Sequence, residues 1–232
     1  MSALIIGHLA GKKAGSVLAV DADPNSTLHE ALGVEDPETI VGVVEEIAKN
    51  MESIPQGVTK ERFIEMKVQE ALGEEKGYDL LVMGRPEGPG CYCYVNNLLR
   101  EMIGRITKNY DFVVIDNAAG MEHISRRTTR TIDKLVLVSD HSVVGVRSAG
   151  RIHGLARELD IKIGGSFLVL NKVADAAEKV DAEVKKTALA LAGTVPYSGE
   201  LKRLSLEGRA VSCLEDKKVK SAVEDIVREV LK

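Results

Sequence analysis

In DFVVIDNAAG a carboxylate, Asp116, closes an apolar run, and Gly120 follows four residues later. An acidic side chain at the tip of a buried strand can hold a magnesium-bound water. A glycine just beyond it lets a backbone N–H approach a γ-phosphate, because it has no Cβ. The segment also reads as an ordinary strand, turn and helix with Asp116 as a cap. VDADPNSTL places two further carboxylates, Asp21 and Asp23, after another apolar run. Pro24 ends that run, and Asp23 and Ser26 suit the capping of a following helix. Capping does not account for Asp21, which keeps a catalytic or switch role open to it.

LVLNKV and VPYSGEL supply Asn171, Lys172 and Pro196. An amide side chain offers both donor and acceptor to a purine edge, and Asn is equally at home in a turn after a strand. Cys91 and Cys93 stand one residue apart in the Gly/Pro-rich stretch GRPEGPGCYCY. Two thiolates can ligate one soft metal, but a tetrahedral site wants four, so a second copy of the loop across a two-fold axis is the simplest completion. The alternative, small apolar filler beside Tyr92 and Tyr94, is a poor use of such a loop. Cys213 has no cysteine neighbour and reads as structural, and His123 is the one histidine next to a motif.

Such residues need a scaffold that gathers strand ends. Apolar, β-branched runs recur as SVLAVD (16–21), YDLLVMG (78–84), DFVVID (111–116), DKLVLVSD (133–140) and SFLVLNKV (166–173), with GTVPYS a weaker one. Helix-period segments lie at 41–50, 60–72, 96–109, 123–132, 143–159 and 177–191, and an amphipathic helix at 217–231 closes the chain. Strands apolar on both faces, alternating with helices, predict a single-domain three-layer α/β/α sandwich with a mostly parallel sheet over 1–232. In such sheets ligands sit beyond the carboxyl ends of the strands, where Asp21, Asp23, Asp116, Asp140, Asn171, Lys172 and Pro196 fall.

Composition narrows the function classes. The 232 residues are 44% hydrophobic and 28% charged with net charge −4, which offers no broad basic field for nucleic acid or an anionic membrane. No apolar run approaches the ~20 residues of a membrane span, and no signal-peptide pattern opens the chain. Three cysteines do not make a secreted disulfide framework, so a cytoplasmic protein with reduced thiols is expected.

Taken together, VLAVDADPNSTL, GPGCYCYVNNLLR, VVIDNAAGMEHISR, LVLNKV and VPYSGEL resemble the nickel-insertion accessory ATPases of carbon monoxide dehydrogenase, the CooC type, within the MinD and nitrogenase-iron-protein group of deviant Walker A P-loop NTPases. The resemblance runs through nearly the whole chain. It implies an ATP- and Mg2+-dependent homodimer holding Ni2+ or Zn2+ between subunits, with apo carbon monoxide dehydrogenase or a related nickel enzyme as client and neither nucleic acid nor membrane as partner. By motif, Asp21 and Asp23 match the first switch region, and Asp116 matches the magnesium-side carboxylate. Gly120 to His123 match the second switch. Asn171, Lys172 and Pro196 match the adenine contacts, and Cys91 and Cys93 the interfacial metal ligands. Ala118 departs from relatives that carry Glu or Gly, which implies a different response of that loop to nucleotide. A nucleotide-independent metal adaptor and a MinD/ParA-like positioning ATPase are the rival readings. The second is disfavoured because KKVKSAVEDIVREVLK has mixed charge and modest hydrophobicity.

GHLAGKKAGS near the start imitates a phosphate loop and fails as one. Three residues separate Gly7 from Gly11 where four are needed, Lys13 stands where Ser or Thr should, and only Ala14 and Gly15 precede the next strand. Residues 1–13 read instead as a helix with Leu4, Ile5, Ile6 and Leu9 as its apolar stripe, lysines at its C-terminal end and Gly15 as its stop. The resemblance therefore implies a working protein longer at its N-terminus, with poor ATP turnover from residues 1–232 alone. The alternative is a nucleotide-blind paralogue.

Overall fold

The computed structural model describes residues 1–85, 104–120, 131–159 and 161–232. They form two compact units, one of Ser2–Ala118 with Gly208–Ser212, the other of Met1, Ala119–Glu207 and Cys213–Lys232.

The first unit is built around β1 (Val17–Asp21), whose five residues VLAVD are all buried. A strand flanked on both sides and covered on both faces has no water-facing position, which is why its sequence does not alternate. β1 pairs in parallel with β3 (Tyr78–Val82) and β4 (Phe112–Asp116), and β2 (Gly73–Glu75) adds an antiparallel edge to give the order β2-β3-β1-β4. Side-chain alternation divides the sheet's two faces. Leu18, Val20 and Leu81 pack with Ile40, Val44, Ile47, Phe63 and Ile64 of α3 (Ile40–Lys49) and α4 (Lys60–Glu70). Ala19, Leu80 and Val82 pack with Ala3, Ile6 and Leu28 of α1 (Ser2–Lys12) and α2 (Leu28–Leu32). Helices on both faces of a mostly parallel sheet are the expected α/β layering.

The second unit orders β5 (Thr131–Asp140), β6 (Lys162–Val173) and β7 (Ala190–Pro196) as β5-β6-β7, all parallel. Leu137, Leu168 and Leu170 pack with Val146 and Ala149 of α5 (Val143–Glu158) and Val180 of α6 (Glu178–Val184). α7 (Gly199–Leu206) follows β7, and α8 (Lys217–Val230) packs on β6 and β7 through its buried stripe Val219, Val223, Ile226, Val227 and Val230. Helices start where side-chain oxygens take up free N–H groups: Thr39 for α3, Thr59 for α4, Ser142 for α5, Ser198 for α7 and Asp216 for α8.

Several boundaries differ from those read in the sequence. The helix expected over 177–191 ends at Val184, and Ala190 and Leu191 pair with Phe167 and Leu168 in the sheet. TALALAG carries strong helix formers, and the pairing partner overrides that preference. The helix expected over 123–132 runs into strand at its end, because Thr131 and Ile132 pair with Lys162 and Ile163; its earlier part lies outside the described residues. Of the helix expected over 96–109, residues 104–106 are helical and Thr107–Asn109 form a 3-10 turn. GHLAGK is the C-terminal part of α1, as expected, with Ala3, Ile6 and Leu9 as its buried residues.

Candidate functional site

The register between β1 and β4 fixes the first cluster. At one end Ser16 and Asp111 clasp each other: the Ser16 N–H and hydroxyl both donate to Asp111 Oδ2 at 2.9 Å, and the Asp111 N–H donates to Ser16 Oγ at 2.9 Å. These donors hold the Asp111 carboxyl below the usual carboxylate range. A Cβ on Gly15 would lie 2.6 Å from Asp111 Oδ2, so the approach needs glycine. Five residues further on, this register sets Asp21 directly across from Asp116. A slip of one residue in either strand would turn that strand's carboxylate to the opposite face and separate the pair.

Asp21 is fully buried. Its Oδ1 accepts from the Asp23 N–H at 3.2 Å and its Oδ2 from the Leu28 N–H at 2.9 Å. Burial pushes its carboxyl up, the neighbouring Asp116 and Asp23 charges push the same way, and the two backbone donors oppose them. Asp23 is part-exposed and turns the loop on itself: its Oδ1 accepts from the Asn25 N–H at 2.9 Å, while its carbonyl accepts from the Ser26 N–H at 2.9 Å. Ser26 sits in the left-handed region at φ +48°. It does not cap α2, as the sequence suggested. Thr27 occupies the N-cap position without a side-chain bond, and the acceptor for the helix's first N–H is Asp21, seven residues upstream.

Asp116 accepts a hydrogen bond from the Ser2 hydroxyl. Ser2 opens α1, so the electropositive end of an eleven-residue helix meets the carboxylate at the strand tip. The sequence pattern singles out the carboxylate and misses the hydroxyl; the available signal was a serine at the head of an apolar helix. Gly120, four residues beyond Asp116, has φ +102°, a conformation that favours glycine. Among the described residues no group of three or more His, Cys, Asp and Glu side chains forms a metal cage. Mg2+ is usually held through one or two oxygen ligands and the phosphates of its substrate rather than by an all-protein shell. The Asp116 carboxylate and Ser2 hydroxyl are hard oxygen donors of that kind.

The second cluster lies at the ends of β5, β6 and β7. Asp140 stands across from Asn171, and Val173 across from Pro196, with the Tyr197 N–H donating to the Val173 carbonyl at 2.9 Å. Asn171 Oδ1 accepts from the Lys172 N–H at 3.0 Å, and Lys172 adopts φ +58°. Asp140 Oδ1 accepts from the Ser142 hydroxyl at 2.8 Å, and a Cβ on Gly145 would collide with that same oxygen. The structure thus groups Asn171, Lys172 and Pro196, and separately Asp21, Asp23 and Asp116. Cys91, Cys93 and His123 lie outside the described residues. Cys213, read as structural, is exposed at a short turn.

No protein-family model matches the chain. It is 45% identical over 224 residues to an uncharacterized ATP-binding protein of Methanocaldococcus jannaschii, the match spanning 95% of this chain and 88% of that protein. It is 28% identical over 225 residues to the carbon monoxide dehydrogenase accessory protein CooC of Rhodospirillum rubrum, spanning 91% and 84%. The septum site-determining protein MinD of Pyrococcus horikoshii, solved with Mg-ADP, matches with a TM-score of 0.69 at 19% identity, over 100% of this chain and 89% of that one. At this identity the likeness is one of fold. No helix among the described residues is long and apolar enough to cross a membrane.

Proposed function

We propose a function from the premise that this chain belongs to the MinD/ParA family of ATP-binding P-loop NTPases: it is an ATP-dependent metallochaperone that assists nickel insertion into carbon monoxide dehydrogenase or a related nickel enzyme. The observation that carries the nucleotide part is the Asp21–Asp116 register, with Ser2 bonded to Asp116 at the head of α1. Within the first unit, Asp116 and Ser2 would hold Mg2+ and Asp23 would face the phosphates. Within the second, Gly120 matches by motif the glycine that lets a backbone N–H approach a phosphate, and Asn171, Lys172 and Pro196 match the residues that hold a base. When bound, Mg-ATP supplies the phosphoryl group and the cation that offsets the charge of the strand-end carboxylates. Cys91 and Cys93 of two chains would hold the cargo ion, Ni2+ or Zn2+, at a homodimer interface. Similarity to the Rhodospirillum rubrum accessory protein supports carbon monoxide dehydrogenase as the client.

Metal titration tests this reading. One Zn(II) or Ni(II) per two chains, lost in Cys91→Ser and altered by Mg-ATP, supports it. Metal binding indifferent to Mg-ATP favours a nucleotide-independent adaptor. The similarity in fold to MinD keeps a positioning ATPase as a second reading, favoured by Mg-ATP binding with no metal uptake.

A further inference from the structure

We infer that Asp21 is a positioning residue rather than a group that meets substrate: its two carboxylate oxygens latch both ends of the 22–28 loop and so set where Asp23 stands. Asp21 is fully buried at the end of the central strand, so the carboxylate has no open path to a ligand. Both oxygens are engaged by backbone donors, Oδ1 by Asp23 and Oδ2 by Leu28. The loop is further tied to the sheet by the Ala22 N–H, which donates to the Asp116 carbonyl at 2.8 Å, and by Leu28, which packs against Ala19 and Leu80.

The loop cannot hold itself. It turns through Ser26 at φ +48°, a left-handed conformation that a serine does not favour. α2 is only five residues long, too short to persist alone, and its N-cap side chain makes no bond. The Leu28 N–H is buried, so without Asp21 it would have no acceptor. Asp23, by contrast, is part-exposed, which makes it the loop's outward carboxylate. The consequence for nucleotide rests on the function proposed above, whereas the latch itself does not.

Amide hydrogen exchange on the protein without nucleotide tests the latch. Asp21→Ala should speed exchange at both Asp23 and Leu28 by about tenfold or more, the scale of one lost hydrogen bond. Asp21→Asn, which keeps the volume and one acceptor, should release one of the two and spare the other. The β1 amides paired with β3 should stay protected in both. Unchanged exchange at Asp23 and Leu28 in Asp21→Asn and Asp21→Ala would overturn the latch, as would loosening in Asp21→Asn that is uniform across the unit. A double-mutant cycle on Mg-ATP affinity then tests action through Asp23. Asp21→Asn should weaken binding on its own and add nothing in an Asp23→Asn background, and independent, additive losses would overturn that part. Absence of Mg-ATP binding by the unmutated protein would count against the nucleotide reading alone and leave the exchange result to decide the latch.

Discussion

The two sets of strand ends use their polar residues in opposite ways. At the end of β1 the polar side chain is sealed and fully engaged by backbone donors: Asp21 holds two N–H groups while buried. At the ends of β6 and β7 the groups are half-buried or exposed. Lys172 is exposed, Tyr197 is 52% exposed, and Asn171 engages only the N–H of its own neighbour among the described residues. A buried, saturated carboxylate shapes the chain around it, so changing it disturbs fold and site together. Exposed, lightly engaged groups can be changed with little effect on stability, and that availability is what a recognition surface requires.

That contrast breaks most visibly at the core beneath the first cluster. Leu18→Ala removes a fully buried side chain from β1 and should cost about 2–5 kcal/mol in chemical denaturation. Gly145→Ala should cost about 1–3 kcal/mol, since the new Cβ would collide with Asp140 Oδ1 and disturb the start of α5. This would show that one part of the second region, the Asp140 turn, is no more tolerant of change than the first. Ser16→Ala removes the hydroxyl half of the clasp at the start of the β1–β4 pairing and should lower stability only slightly, with the Asp111 carboxyl rising part of the way towards its ordinary range in an NMR titration, because the Ser16 N–H, the larger cause of its depression, still donates. Asn171→Ala should change stability by no more than about 0.5 kcal/mol while weakening Mg-ATP binding. A stability loss as large as that of Leu18→Ala would erase the distinction.

Acid sharpens the comparison in the second unit. Arg147 and Lys186 hold the Glu183 carboxyl down to about 2, from an ordinary 4.5. A carboxylate depressed in the folded state contributes stability above its unfolded pKa and loses it as pH falls through the folded one. The tie between α5 and α6 should therefore weaken between about pH 4.5 and pH 2, and Glu183→Gln should flatten that part of the stability profile.

Much of this was legible in the sequence because it depends on local order. Apolar runs ending in Asp21, Asp116 and Asn171 marked the strand tips, and the failed spacing of GHLAGKKAGS marked a helix. What was not legible depends on contacts across the chain. Ser2 meets Asp116 across 114 positions, and its one local sign, a serine heading an apolar helix, does not name that partner. Ser26 looked like a cap because its type fits, yet the acceptor for α2 comes from Asp21, which no capping pattern places seven residues away. GEE at β2 has weak strand propensity and is a strand because β3 is beside it.

Coupling of metal to nucleotide is tested most directly by Zn(II) binding to the intact protein, measured with and without Mg-ATP and repeated in Asp116→Asn. The expected result is one ion per two chains, a shift in affinity when Mg-ATP is added, and loss of that shift in Asp116→Asn with metal binding retained. Zinc binding that is identical with and without Mg-ATP in the unmutated protein would contradict it.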